Sequence, residues 1–226
     1  MSLETDISGK VWVSTLLYDS SAAAPMVETL PSEPMLSFQP EYRIKPRTAP
    51  WARIFRGETV APETLARKFY VFDPLWDEER SKSKPRFAPA FSNAYIFVDH
   101  EIAEIMRGFN IAENALHAVE FIEHDTVTPI DVQFYLLNFG AERPTIDVER
   151  SERLSRNTNV KSAEEYALPI NLKTNAIRIL PSALEGPDLW VDKRFPFDFF
   201  LSDQLGSALR KAKFAAPLKL TALPNC

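Results

Sequence analysis

The sequence predicts an α+β protein of two linked modules, each carrying a strand–helix–strand unit packed on mixed or antiparallel sheets. Three observations lead to this. YIFVDHEIAEIMRGFN (95–110) and FFLSDQLGSALRKAKF (199–214) share one pattern: an apolar run stops at an aspartate, and apolar residues then recur at i, i+3, i+4 and i+7, the spacing of a helix with one buried face. Each copy is followed by a strand-like stretch, HAVEFIE (117–123) or LKLTAL (218–223). Finally, ten of the 18 prolines fall between Pro25 and Pro89, which disfavours long helices there and leaves short extended pieces and turns.

In chain order, KVWVSTLLY (10–18) and KFYVFD (68–73) read as strands, and PETLARKF (62–69) as a short helix opened by proline. The hydrophilic run DEERSKSKPR (77–86) reads as a solvated loop and as the first boundary candidate. AYIFV (94–98) suits a strand buried on both faces. Asp99 then caps a helix whose stripe is Ile102, Ile105, Met106 and Phe109, with Glu101 and Glu104 near its positive end.

VQFYLLNF (132–139) and TIDVE (145–149), around the turn-forming GAERP, read as a hairpin or two sheet strands. The polar SERLSRNTNVKSAEE (151–165) reads as a surface helix or loop. LPINLKTNAIRILPS and DLWVDKRFPF add strand-like pieces punctuated by Pro169, Pro181 and Pro196. In the second copy Asp203 is the expected cap and Leu205, Ala208, Leu209 and Ala212 form the stripe. Arg210, Lys211 and Lys213 complement the helix's negative end. Read this way, the copies differ by one residue in register: seven positions separate Asp203 from Arg210, and eight separate Asp99 from Arg107. The expected division is a proline-rich N-terminal region (1–90), a first strand–helix–strand module (91–126) and a C-terminal α+β module with the second unit (127–226).

Composition narrows the function classes. The chain has 226 residues, 45% hydrophobic and 25% charged, enough to bury a proper core. A net charge of −5 disfavours a nucleic-acid ligand, whose binding is driven by lysine and arginine, and would suit a basic protein partner. Cys226 is the only cysteine, so no intrachain disulfide forms and a reducing cytoplasm is expected. MSLETDISGKVWVSTLLYDS lacks the pattern of a secretory signal, and no window has the apolar length that spans a bilayer.

The six glycines are too dispersed for a phosphate-cradling loop, and no G-x-S-x-G elbow occurs. HAVEFIEHD gathers His117, Glu120, Glu123, His124 and Asp125, near Asp99 and His100, but without a metal-binding helical spacing. No catalytic residue, metal or cofactor is expected. In DLWVDKRFPFDFFLSD, Phe195, Phe197 and Phe199 alternate with Arg194, Pro196 and Asp198, as an apolar strand face would. Trp190, Lys193, Arg194 and Asp198 are the expected partner contacts, because tryptophan and arginine are frequent interface anchors.

FSNAYIFVDHEIAEIM with VEFIE, then FYLLNFGAERPTIDVERS, then DLWVDKRFPFDFFLSDQLGSALRKAKF with PLKLTAL stand in an order that resembles bacterial immunity proteins of polymorphic toxin systems, immunity protein family eleven. In that family a strand ending in serine or a similar residue leads into an amphipathic helix in both halves. A central aromatic strand is followed by an aspartate-x-x-x-serine element, matched here by Asp147 and Ser151. Ser202 matches the strand-ending serine, and the first copy has Val98 in its place. The resemblance implies a protein that binds a cognate toxin domain in the cytoplasm and blocks it by occlusion, without chemistry of its own. Two other readings stand beside it: an enzyme with a site at Asp99, His100, His124 and Asp125, and a structural or regulatory homo-oligomer joined through sheet edges.

Overall fold

A computed structural model describes residues 9–18, 26–28, 50–71, 87–123, 127–156, 164–169, 172 and 174–224. Among them are twelve strands: β1 (Lys10–Ser14), β2 (Met26–Glu28), β3 (Lys68–Val71), β4 (Ala90–Asn93), β5 (Tyr95–Asp99), β6 (Leu116–Ile122), β7 (Phe134–Leu137), β8 (Ser155–Arg156), β9 (Tyr166–Ala167), β10 (Leu189–Trp190), β11 (Phe199–Ser202) and β12 (Leu220–Pro224). Three α-helices accompany them: α1 (Pro50–Ile54), α2 (His100–Arg107) and α3 (Asp203–Lys211). The class is α+β, as the sequence predicts.

One sheet has six strands in the order β2-β3-β6-β7-β5-β4 and a second has four in the order β10-β11-β1-β12. All neighbours are antiparallel except β3 and β6. The repeated pattern therefore builds the same unit twice. β5 and β6, joined by α2, flank β7; β11 and β12, joined by α3, flank β1. An outer strand completes each unit, β4 on β5 and β10 on β11.

The pairing registers superpose residue by residue. Tyr135 lies opposite Val98 and Ala118, and Trp12 lies opposite Leu201 and Ala222. Phe91 stacks on Phe97 at 5.1 Å, and Trp190 on Phe200 at 6.2 Å. The Arg107 guanidinium sits 4.7 Å over the Tyr135 ring, and Arg210 sits 5.2 Å over Trp12. Ile102, Ala103 and Met106 are the buried residues of α2; Leu205, Gly206 and Leu209 are those of α3.

This alignment corrects the second cap. Ser202, not Asp203, is the N-cap, its Oγ accepting from the Leu205 N–H at 3.2 Å, as Asp99 Oδ1 accepts from Ile102 at 2.9 Å. Asp203 is the first helical residue, and its carboxylate accepts from Trp12 Nε1 at 3.1 Å and from Ser207 Oγ at 3.2 Å. With Ser202 as cap, each cap stands eight positions before its arginine and the one-residue offset disappears. Ser202 then matches Asp99, and Val98 matches Leu201.

Two cores follow from the alternation along the strands. Trp12, Phe199 and Leu201 join Leu205, Leu209 and the buried residues of the six-stranded sheet in the larger core. Val11, Val13 and Phe200 point the other way, into a second core with Ile146, Ile177, Ile179, Trp190 and Phe195. The four-stranded sheet is thus buried on both faces. α2 and α3 pack against each other.

Other expectations shift. β7 lies beyond residue 127 yet pairs between β5 and β6, and β1 pairs with C-terminal strands, so the sheets cut across the expected division at 126/127. Residues 62–69 hold only a 3-10 turn at Pro62–Thr64 before β3 begins. TIDVE makes a single bridge, Ile146 to Ile179, and then turns. In the polar stretch, Ser155 and Arg156 form β8, paired with β9. Residues 193–198 are turns, so Phe195, Phe197 and Phe199 do not share a strand face. The boundary candidate 77–86 lies outside the described residues.

Candidate functional site

The segment 141–151 crosses the end of β10 as a strap, and its anchors come from side chains that local sequence leaves unremarked. Glu142 bridges to Val191, with the Val191 N–H donating to the Ala141 carbonyl at 3.1 Å and the Arg143 N–H to the Val191 carbonyl at 2.9 Å. Asp192, with no exposed surface, accepts from the Thr145 N–H at 2.8 Å through Oδ2. Arg194 grips both oxygens of that carboxylate, Nε to Oδ1 at 3.0 Å and Nη2 to Oδ2 at 2.7 Å, and its Nη2 also donates to the Ile146 carbonyl at 2.8 Å. The Asp192 hydrogen bond holds the Arg194 pKa above its already high usual value.

Trp190 is the second anchor. Its Nε1–H donates to Thr145 Oγ1 at 2.7 Å, and the Arg143 guanidinium lies 3.7 Å from its ring centroid. Burial pulls the Arg143 pKa below its usual value, against the nearby carboxylates of Asp188 and Glu185. A cation on a desolvated indole face gains about 2 kcal/mol.

The strap ends in the aspartate-x-x-x-serine element. Asp147 Oδ1 accepts from the N–H groups of Glu149 and Arg150 at 3.2 and 3.1 Å, and the Ser151 N–H donates to the Asp147 carbonyl at 3.0 Å. The Asp147 N–H donates to the Arg178 carbonyl at 2.9 Å, and the Arg178 N–H to Ser151 Oγ at 2.9 Å. Asp147 and Ser151 therefore make a capped turn and dock it on the chain at Arg178.

The four expected partner contacts separate. Trp190 and Asp198 are both 0% exposed, so a rigid partner cannot touch them; apolar burial and the turn at 193–198 draw them inward. Arg194 is mostly committed to Asp192, with 21% of its side chain exposed. Lys193 stays outside at 63%, near Glu142 at 3.8 Å, and Phe197, missed from sequence as a contact, is 43% exposed on the same turn. Asp192 and Arg143 were also missed. An acid closing the apolar run LWVD two positions before an arginine is the local signal for Asp192; nothing local marks Arg143.

The alternative acid–base cluster is likewise absorbed in part. Asp99 caps α2, with burial raising its pKa, and His100 lies 3.7 Å from Glu104 on the helix surface. His124 and Asp125 lie outside the described residues. Among the described residues no group of three or more His, Cys, Asp or Glu is placed to hold a metal, and no helix is long and apolar enough to cross a membrane. His117 lines an open hollow of about 270 Å3 with Pro62, Arg67, Asn114, Leu116 and Ala118. Compared with protein-family models and with curated proteins, the chain matches none.

Proposed function

We propose that this chain is an immunity protein, which binds a cognate bacterial toxin domain in the cytoplasm of the producing cell and neutralises it by covering its working surface. The observation that carries the reading is the convergence of the stretches behind the family resemblance. GAERPTIDVERS forms the strap, DLWVD forms the strand beneath it, and Asp192, Arg194, Thr145 and Trp190 tie the two together. FFLSDQLGS continues from that strand's partner into the Ser202-capped helix. Segments far apart in sequence thus form one braced substructure. Asp192, Arg194, Thr145 and Asp147 spend their polar groups on this bracing.

Bracing matters physically because a partner that docks on a pre-ordered exterior loses little conformational entropy. The net charge of −5 fits a basic toxin and predicts electrostatically steered association. Lys193 and Phe197, on the turn beside the strap, are the accessible contact candidates in this region.

Co-expression with a toxin, sought among the genes beside this one, is the test. Growth should be rescued, and the purified pair should associate more slowly as salt is raised. Toxicity undiminished by the co-expressed chain would end the assignment; a salt-independent on-rate would remove the charge argument while leaving the assignment in place.

A further inference from the structure

Between β10 and β11 the chain makes two turns in succession. The Phe195 N–H donates to the Asp192 carbonyl at 2.7 Å, and the Asp198 N–H donates to the Phe195 carbonyl at 3.1 Å. Asp192, Phe195 and Asp198, every third residue, are all 0% exposed, so the double turn stands on three buried posts. Its corners carry Lys193 with Arg194, then Pro196 with Phe197. The corners are held as well as the posts. Arg194 donates to Asp192 through its backbone N–H and its guanidinium, and its carbonyl accepts from the Tyr166 N–H at 2.7 Å. The Tyr166 ring stacks on Phe195 at 5.9 Å.

Phe197 is an unexpected residue for such a corner. Turns are built mostly from glycine, proline, asparagine, aspartate and serine, whose backbones or side chains favour the bend. Pro196 follows that rule, whereas Phe197 places an aromatic ring there and leaves it 43% exposed. Three large apolar side chains are exposed among the described residues, and beside Val127 and Val132 it alone is aromatic. The part of the ring left in water contributes nothing to folding. On a pre-ordered backbone that same area can be covered by a partner at little cost in conformational freedom, which is how aromatic anchors dominate interfaces.

The charge at the corner is positive. The Lys193 side chain is 63% exposed, and Glu142 lies 3.8 Å from its ammonium, beyond hydrogen-bond reach. We propose that this double turn is the anchor by which the chain engages its toxin, the Phe197 ring entering an apolar cup on the toxin and the Lys193 ammonium meeting a carboxylate at the rim. The inference rests on the immunity reading and adds to it the point of contact and the chemistry that fits it. Net charge steers the approach from a distance, while the corner selects where the two surfaces meet.

The toxin found by co-expression is the probe, with Kd and both rate constants measured by biolayer interferometry on the full chain. Phe197→Ser should raise Kd about 30-fold. Val132→Ser, an exposed apolar change between β6 and β7, should leave Kd unaltered. Lys193→Glu makes the chain more acidic, so steering alone would speed association by a basic toxin and tighten binding; contact with a carboxylate should instead weaken it about tenfold through faster dissociation. Urea midpoints of all three variants should stay close to the parent, separating lost contact from lost fold. An unchanged Kd in Phe197→Ser, or tighter binding by Lys193→Glu, overturns the anchor and leaves the immunity reading standing. A parent chain that fails to rescue growth overturns both.

Discussion

Gly206→Ala is the sharpest test of the doubled unit, because two effects of opposite sign meet at one atom. Gly206 lies on the buried face of α3, and a Cβ there would stand 2.2 Å from Cδ1 and Cγ of Trp12. Non-bonded carbons settle near 3.5–4.0 Å, so ring and helix would have to part by more than an ångström. Trp12 has little room to yield: it is 4% exposed, its Nε1 is bonded to Asp203 and Arg210 lies over its ring. Alanine should gain about 1 kcal/mol of helix propensity. Overpacking of this severity costs about 3 kcal/mol, leaving a net loss of about 2 kcal/mol, or about 4–8 °C in Tm for a chain of this size.

The first unit supplies the control. There the matching pair is Ala103 and Tyr135, a larger helix residue against a smaller ring. Trp12→Tyr in the Gly206→Ala background should therefore recover part of the loss, with a coupling of about 1 kcal/mol or more in the double-mutant cycle. Urea unfolding of the four proteins, with the slope checked for constancy, measures it. A neutral or stabilising Gly206→Ala would refute close contact between α3 and Trp12, and additive effects would refute the equivalence of the two pairs.

Removing either cap oxygen, Asp99→Ala or Ser202→Ala, should cost about 1 kcal/mol in urea unfolding, whereas alanine at exposed Gln204 should change little. Arg194→Ala strands the fully buried carboxylate of Asp192 and should cost about 3 kcal/mol; adding Asp192→Asn, which removes the charge and keeps a side-chain oxygen for the Thr145 N–H, should recover part of that. His117 has its folded pKa lowered chiefly by burial, so the unfolded chain takes up its proton first. Its contribution should be whole above about pH 6.5 and decline as pH falls from there toward the folded value. Melts at descending pH should show His117→Gln losing less stability than the parent.

The parts legible in the sequence were those written in short-range periodicity. An apolar run, a capping residue and an i, i+3, i+4, i+7 stripe define α2 and α3 together with β5 and β11, because helix spacing and burial of one face are local properties. The cap of α3 was misplaced by one because Ser202 and Asp203 are both good caps; the choice is settled by Trp12, 191 positions from Asp203, which takes the aspartate's oxygen. TIDVE alternates like a strand, yet Asp147 spends its side chain on the N–H groups of Glu149 and Arg150 and bends the chain. Trp190 was readable as an anchor but not as a buried one, since Arg143 and Thr145, which satisfy it, arrive from another segment. His117 stood out by residue type; the hollow beside it exists only because β3 stops short of the start of β6, a tertiary fact.

The two units differ in one respect that bears on how the chain holds together. In the first, β4, β5, β6 and β7 follow one another, so the middle strand β7 is supplied by the next stretch of chain. In the second the middle strand is β1, from the opposite end of the sequence. β11 and β12 run parallel on either side of it and share no backbone bonds with each other, so without β1 that sheet has no centre and Trp12 leaves α3 without its floor. The C-terminal unit cannot close until the N-terminal strand returns to it. Contacts of such long range slow folding, but once made they bind the ends together, so that loosening either end opens the larger core and the second one at once. A partner docking as proposed would meet a body in which β1 braces β11 and β12, the rigidity on which neutralisation by occlusion would draw.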